Sequence, residues 1–172
     1  MFAGQRASSG AMTEDGAPKA QSGGGQAFEI ALFARWPDID FNQHMRNAAY
    51  LGAGEDCRMQ FLTSRGFGIQ EFARRGLGPV VLEDRIRYRR ELRPLEPFVV
   101  ELLLAGATHD CRRIRVRNRI VRKSDRELSA TVDSLVMWLD TGTRKTIVPP
   151  EELRSCWLAL IRTDDFAWEK QE

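Results

Sequence analysis

Two carboxylates, a histidine, an arginine and two asparagines crowd into residues 38–50, DIDFNQHMRNAAY. Asp40 stands seven residues ahead of Asn47, just where the apolar spacing becomes that of a helix. The amides of a first helical turn have no intrahelical partners, and the helix dipole adds partial positive charge there. Such a terminus can polarise a carbonyl and hold the oxyanion that forms when the carbonyl is attacked. A nearby carboxylate can attack the carbonyl itself or take a proton from water. On residue types alone, the favoured reading of Asp38 and Asp40 is as turn or capping residues. His44 can touch a substrate or orient the loop through a structural hydrogen bond. Tyr50 shares the apolar helix face with Phe61, where core packing is the expected role. Glu55, three residues before Arg58, reads as one half of a structural ion pair.

The elements that must position these groups follow from periodicity. Residues 28–36 (FEIALFARW) alternate loosely and stop at Pro37, as a strand ending in a turn does. Across 46–64, Tyr50, Gly54, Cys57 and Phe61 recur at helical spacing, which predicts one long helix of ~28 Å. Gly52 and Gly54 weaken a helix and are expected where a sheet backbone comes close. Gly66 ends that helix, and 69–75 predicts a short second one. Four strand-like runs follow at 79–92, 98–108, 112–123 and 127–140. Turns are expected at His109-Asp110 and at 123–125, and the four runs are expected to pair as a meander. Residues 151–161, after Pro149-Pro150, predict a terminal helix. The expected class is α+β, one long helix packed on an antiparallel sheet.

Composition bounds the function. The chain of 172 residues carries 26 Lys+Arg against 24 Asp+Glu, so charge alone points to no polyanionic partner. No apolar run approaches the ~20 residues of a membrane helix. Cys57, Cys111 and Cys156 are odd in number and widely spaced, which fits a reducing, cytoplasmic setting and offers no zinc cluster. Residues 1–27, rich in Gly, Ala and Ser, predict a disordered tail, with Met12 as an alternative start. Residues 28–172 then form a single domain. Residues 112–123 hold seven Lys/Arg and no acid, with Arg113, Arg115, Arg117 and Arg119 on one strand face. Nucleic-acid binding and capture of phosphates are functional readings of that face. The favoured reading is a solvated surface on which the arginines meet acids such as Glu101 and Asp133 on neighbouring strands.

The stretch from Asp40 to Tyr50, with Glu55, Arg58 and Leu62 on the helix behind it, resembles the hotdog-fold acyl-CoA thioesterases of the 4-hydroxybenzoyl-CoA thioesterase-like group. Asp40, His44, Asn47 and Tyr50 take the places of that group's Asp, His, second Asn and Tyr. Gln43 stands where the group has Gly, and Arg46 where it has the first Asn. The resemblance implies a hotdog fold and hydrolysis of an acyl-CoA thioester to a carboxylic acid and CoA. It implies that Asp40 is nucleophile or general base and that backbone N–H near Asn47 contacts the thioester oxygen. His44, Arg46 and Tyr50 are the expected substrate contacts, with Arg46 available to an anionic group of CoA or substrate. Some hotdog thioesterases carry their catalytic carboxylate on the long helix, which makes Glu55 a second candidate. No metal or redox cofactor is expected, nor a nucleic-acid or membrane partner. A homodimer or homotetramer is expected, two sheets joining edge to edge. The alternative is a non-catalytic acyl-CoA or acyl-carrier-protein binding module.

Overall fold

The computed structural model describes residues 25–170. Most of the expected tail, residues 1–24, lies outside them. Gln26, also expected in the tail, forms a bridge with Leu160. The first strand, β1 (Phe28–Phe33), leads through a short 3-10 turn at Trp36–Asp38 to the long helix α1 (Asn47–Ser64). Then come α2 (Ile69–Arg75), β2 (Leu77–Tyr88), β3 (Pro97–Ala107), β4 (Arg113–Arg122), β5 (Leu128–Asp140), α3 (Glu151–Leu158) and β6 (Arg162–Trp168).

The sheet runs β1-β3-β4-β5-β2, antiparallel throughout this path. The expected meander holds for β3, β4 and β5 only. Instead of pairing with β3, β2 crosses to the far side and pairs with β5, Leu77 opposite Asp140 and Tyr88 opposite Ala130. This leaves β2 as an outer strand. The terminal helix is shorter than expected, and residues 162–168 form β6, parallel to β3. β1 covers the edge of β3 from Pro97 to Leu102, and β6 takes over at Leu104. A Cβ on Gly106 would lie 3.0 Å from the Ala167 carbonyl oxygen, so glycine is what lets β6 come in.

α1 lies across one face of the sheet because its apolar residues recur on one side: Tyr50, Ala53, Cys57 and Phe61 are all buried. The Cys57 thiol reaches the Val100 carbonyl oxygen on β3 at 3.4 Å. Phe61 packs against Trp157 of α3, ring centroids 5.0 Å apart, so truncating it to alanine costs ~3–5 kcal/mol. That contact places α3 over the C-terminal half of α1, about 21 Å along the helix from Asn47. The helix glycines differ from expectation. Gly54 does sit tight on β4, since a Cβ there would come within 3.1 Å of Asn118 Oδ1, a side chain and not backbone. Gly52 meets nothing within 4 Å.

Arg58 also departs from expectation. Instead of pairing with exposed Glu55 it turns inward, 6% exposed, and donates to Asn118 Oδ1 (3.1 Å) and Ser134 Oγ (2.9 Å). Ser134 donates in turn to Asp84 Oδ1 on β2 at 2.5 Å. The opposite face of the sheet carries the arginines, and they are paired. Arg117 bonds Asp133 and Asp165, Arg119 bonds Glu101, and Arg115 bonds Glu169. Asp165 and Glu169 come from β6 and its end, so the added strand helps neutralise the stripe.

Candidate active site

The segment joining β1 to α1 is a tight loop closed at its base. Ile39 bridges Met45 in antiparallel fashion, and the Asp40 N–H donates to the His44 carbonyl at 2.8 Å. Inside it the Gln43 N–H donates to the Asp40 carbonyl at 3.0 Å, and Gln43 itself has φ +63. A left-handed residue is needed to finish this turn, which is the conformational reason a glycine suits the position. Asp38 anchors the loop. It is 7% exposed, accepts two bonds from the Arg35 guanidinium at 2.6 and 3.1 Å, and its carbonyl takes the Arg46 N–H.

The Asp40 carboxylate faces two ways. Oδ1 accepts the amides of Asn42 (2.8 Å) and His44 (3.3 Å), the bonds of an Asx-type turn. Oδ2 bonds to no group among the described residues. Beside it α1 begins without a side-chain cap: Arg46 holds the N-cap position in extended backbone and has no acceptor to offer. The Ala49 N–H is taken by the Arg46 carbonyl, while the amides of Asn47 and Ala48 meet no acceptor among the described residues. An unbonded carboxylate oxygen and two unfilled first-turn amides thus belong to one loop and the helix start it leads into, group types that can attack and activate a carbonyl.

Asp40, His44, Asn47 and Tyr50 line one cleft of about 390 Å³, so four of the five site residues expected from sequence meet there. Arg46 does not; it lines a second cavity of about 380 Å³ on the other side of the loop, together with Glu55. Tyr50 is both core and cleft wall. Only 3% exposed, it accepts the Leu92 N–H through its hydroxyl at 3.1 Å. Burial pushes its pKa up, which the Leu92 bond partly offsets.

Sequence reading did not find Tyr88, Arg89, Arg90 and Glu91, which complete the cleft from the end of β2. The Tyr88 ring meets Tyr50 edge to face at 5.3 Å, and its hydroxyl donates to the Asn47 carbonyl at 3.4 Å. Burial raises the Tyr88 pKa as well, so both phenols keep their protons at neutral pH. The Glu91 carboxyl is held below its usual range, chiefly by a bond from its own amide and also by the neighbouring His44. No group of three or more His, Cys, Asp or Glu side chains able to hold a metal occurs among the described residues. Nor is any described helix long and apolar enough to cross a membrane.

A sheet packed on a single long helix, with an uncapped helix start beside a loop carboxylate, is the framework of the hotdog thioesterases. The sequence profile of the thioesterase-like superfamily matches residues 34–156, and the chain belongs to that family. Its chemistry is thioester hydrolysis. Over 147 residues it is 26% identical to the chloroplastic acyl-acyl carrier protein thioesterase ATL3 of Arabidopsis thaliana, covering 86% of this chain and 76% of that one. The fold is similar to that of SAV2348 from Staphylococcus aureus in complex with CoA, with TM-score 0.71, 23% identity, and 79% and 87% of the two chains covered. It is equally similar to Slr0204, a 1,4-dihydroxy-2-naphthoyl-CoA thioesterase from Synechocystis, with TM-score 0.71, 14% identity and 78% and 98% coverage.

Proposed function

We propose that the protein hydrolyses an acyl-CoA thioester to a carboxylic acid and CoA. The observation that carries this reading is that the Asn47 and Ala48 amides at the helix start, and Asp40 Oδ2 in the loop before it, have no partner among the described residues. The thioester oxygen sits on those amides, whose preorganised dipoles stabilise the oxyanion. Asp40 either adds to the carbonyl, giving a mixed anhydride that water then opens, or removes a proton from the attacking water. In both cases CoA leaves as the thiolate and is protonated by water. His44 and Tyr50 shape the cleft about the carbonyl. Arg89 and Arg90 supply cations for the CoA phosphates, and Arg46 contributes from the side of the second cavity.

The working unit in this proposal is a homodimer. β2 pairs on one side only, and Val81, Leu82 and Tyr88 on it are 41%, 52% and 51% exposed. An open, partly apolar edge of that length is satisfied when a second copy pairs along it. The three cysteines are unpaired, which fits the proposed cytoplasmic location.

A second reading, a non-catalytic acyl-CoA or acyl-carrier-protein binding module, is favoured by one observation. Asp40 Oδ1 already serves the loop, so a purely structural aspartate would look the same on that oxygen. Thiol release from a panel of short, long and aromatic acyl-CoAs distinguishes the two. Saturable release supports the hydrolase, whereas tight acyl-CoA binding without release supports the module.

A further inference from the structure

The Tyr88 hydroxyl donates to the Asn47 carbonyl at 3.4 Å. That carbonyl and the Ala48 N–H are the two ends of one peptide group, planar and trans, so they point in opposite directions. Fixing the carbonyl fixes the line along which the N–H points. Inside a helix such a carbonyl accepts the amide four residues on, and its second lone pair is the one Tyr88 can take. The Ala48 N–H meets no acceptor among the described residues, and it is one of the two amides that the proposed reaction gives to the substrate oxygen. The phenol is firmly placed. β2 ends at Tyr88, paired there with Ala130 of β5, and the next two amides, of Arg89 and Arg90, both donate to the Ser129 carbonyl at 2.7 and 3.1 Å. The chain then returns to the helix: the Leu92 N–H donates to the Tyr50 hydroxyl at 3.1 Å, and the Met45 N–H donates to the Leu92 carbonyl at 2.8 Å. With its ring edge-on to Tyr50, Tyr88 is held by the same elements that hold the start of α1.

We propose that Tyr88 is a positioning residue for the oxyanion site: it orients the peptide between Asn47 and Ala48 and, by polarising its carbonyl, strengthens the Ala48 N–H as a donor. This rests on the acyl-CoA hydrolase reading and adds a residue to its machinery that touches no reacting atom. A hydrogen bond accepted by an amide oxygen strengthens the bond its N–H gives, by roughly 10–30%. The benefit is largest when negative charge has developed on the substrate oxygen, so Tyr88 acts on kcat and leaves KM alone. The bond is long and the side chain half-exposed, so its loss costs less than the ~10²–10³ of deleting an oxyanion donor outright. A fall of about 5-fold is the size of one neutral hydrogen bond.

Tyr88→Phe provides the test, because it removes the hydroxyl and keeps the ring against Tyr50. The HNCO peak of Ala48 in the NMR spectrum reads this one peptide, through the Asn47 carbonyl carbon and the Ala48 nitrogen and proton. In the free variant the Asn47 carbonyl carbon should move upfield as it loses its donor, while the peaks of α3 stay in place. Thiol release should show kcat lower by about 5-fold with KM unchanged. An Ala48 peak that does not move overturns the proposal, as does a rise in KM with kcat intact, since the hydroxyl would then act on bound substrate or on nothing. If wild type releases no thiol from any acyl-CoA, the hydrolase reading fails by itself. The Ala48 proton is then followed as a ketone analogue of acyl-CoA binds, with CH₂ in place of the sulfur. A downfield shift in wild type that is smaller in Tyr88→Phe would uphold the positioning role, and equal or absent shifts would overturn it.

Discussion

Replacing Asp40 separates the two tasks its carboxylate can hold. Oδ1 accepts the Asn42 amide at 2.8 Å and the His44 amide at 3.3 Å, and Oδ2 bonds to no group among the described residues. Asp40→Asn keeps an acceptor oxygen in the turn and removes only the charge. Bonds to a charged acceptor contribute ~1.5–3 kcal/mol and neutral ones ~0.5–1.5. One of the two bonds here is long and the other exposed, so the asparagine should cost about 1 kcal/mol of stability. Asp40→Ala, which deletes both bonds, should cost about 2 kcal/mol. Catalysis responds on another scale, because losing a positioned general base costs ~10²–10⁴ in rate and losing a nucleophile costs at least as much. Urea unfolding of the three proteins, beside thiol release at saturating acyl-CoA, reads both quantities. The expected result is an Asp40→Asn protein folded to within about 1 kcal/mol of wild type, with kcat lower by at least ~10³. Wild-type turnover in Asp40→Asn, with Asp40→Ala merely destabilised, would reduce the residue to a turn former and refute the assignment.

Four other outcomes are expected. Gln43→Gly removes the left-handed strain at φ +63, worth ~1–2 kcal/mol, at an entropic cost of ~0.5–1, so urea unfolding should show a gain on the order of 0.5 kcal/mol; a loss above 1 kcal/mol would contradict the strain argument. Arg46→Asp supplies the cap that α1 lacks, so stability should rise by about 1 kcal/mol while thiol release falls as the first-turn amides are taken; higher stability with full activity would remove those amides from the mechanism. Leu82→Lys puts a charge on the open β2 edge and should shift sedimentation from dimer to monomer, whereas an unchanged dimer would place the interface elsewhere. Burial pushes the Cys57 thiol up to about 12 from its usual 9. Its folded-state pKa lies above the unfolded one, so its contribution is whole below pH 9 and is lost as pH rises towards 12, at ~1.4 kcal/mol per pH unit. Cys57→Ala should flatten that alkaline slope relative to wild type, and parallel slopes would count against it.

Local periodicity made α1, α2 and the strand segments legible, because each buries one face and its apolar residues recur accordingly. Periodicity carries no information about which strands pair. β2 and β3 follow one another in sequence, yet α1 leaves the chain at the far side of the sheet, and β2 pairs with β5. That single crossover brings Tyr88, Arg89 and Arg90 to the cleft, so three of its walls were invisible to a reading built on neighbours in sequence. β6 was missed for another reason. Its residues RTDDFAW are mostly exposed, and the strand is held by backbone pairing along β3 and by the ion pair from Asp165 to Arg117, neither of which leaves an apolar pattern. The loop from Asp38 to Arg46 was legible as chemistry because its polar residues are too many and too varied for a turn alone.

The two departures from the family pattern carry opposite physical meanings. Gln43 adopts the backbone that a glycine would adopt, so the turn's geometry is kept and only its conformational cost changes. Arg46 does more. An asparagine at a helix start can cap it, and an arginine cannot, since it carries donors only and the dipole disfavours its charge. Several groups near the helix start are satisfied: Asp38 by Arg35, the Arg46 amide by Asp38, and the Met45 amide by Leu92. The uncapped terminus is a local rule left unmet, and such exceptions concentrate where a ligand completes the structure. In the proposed hydrolase the amides of Asn47 and Ala48 take the substrate oxygen.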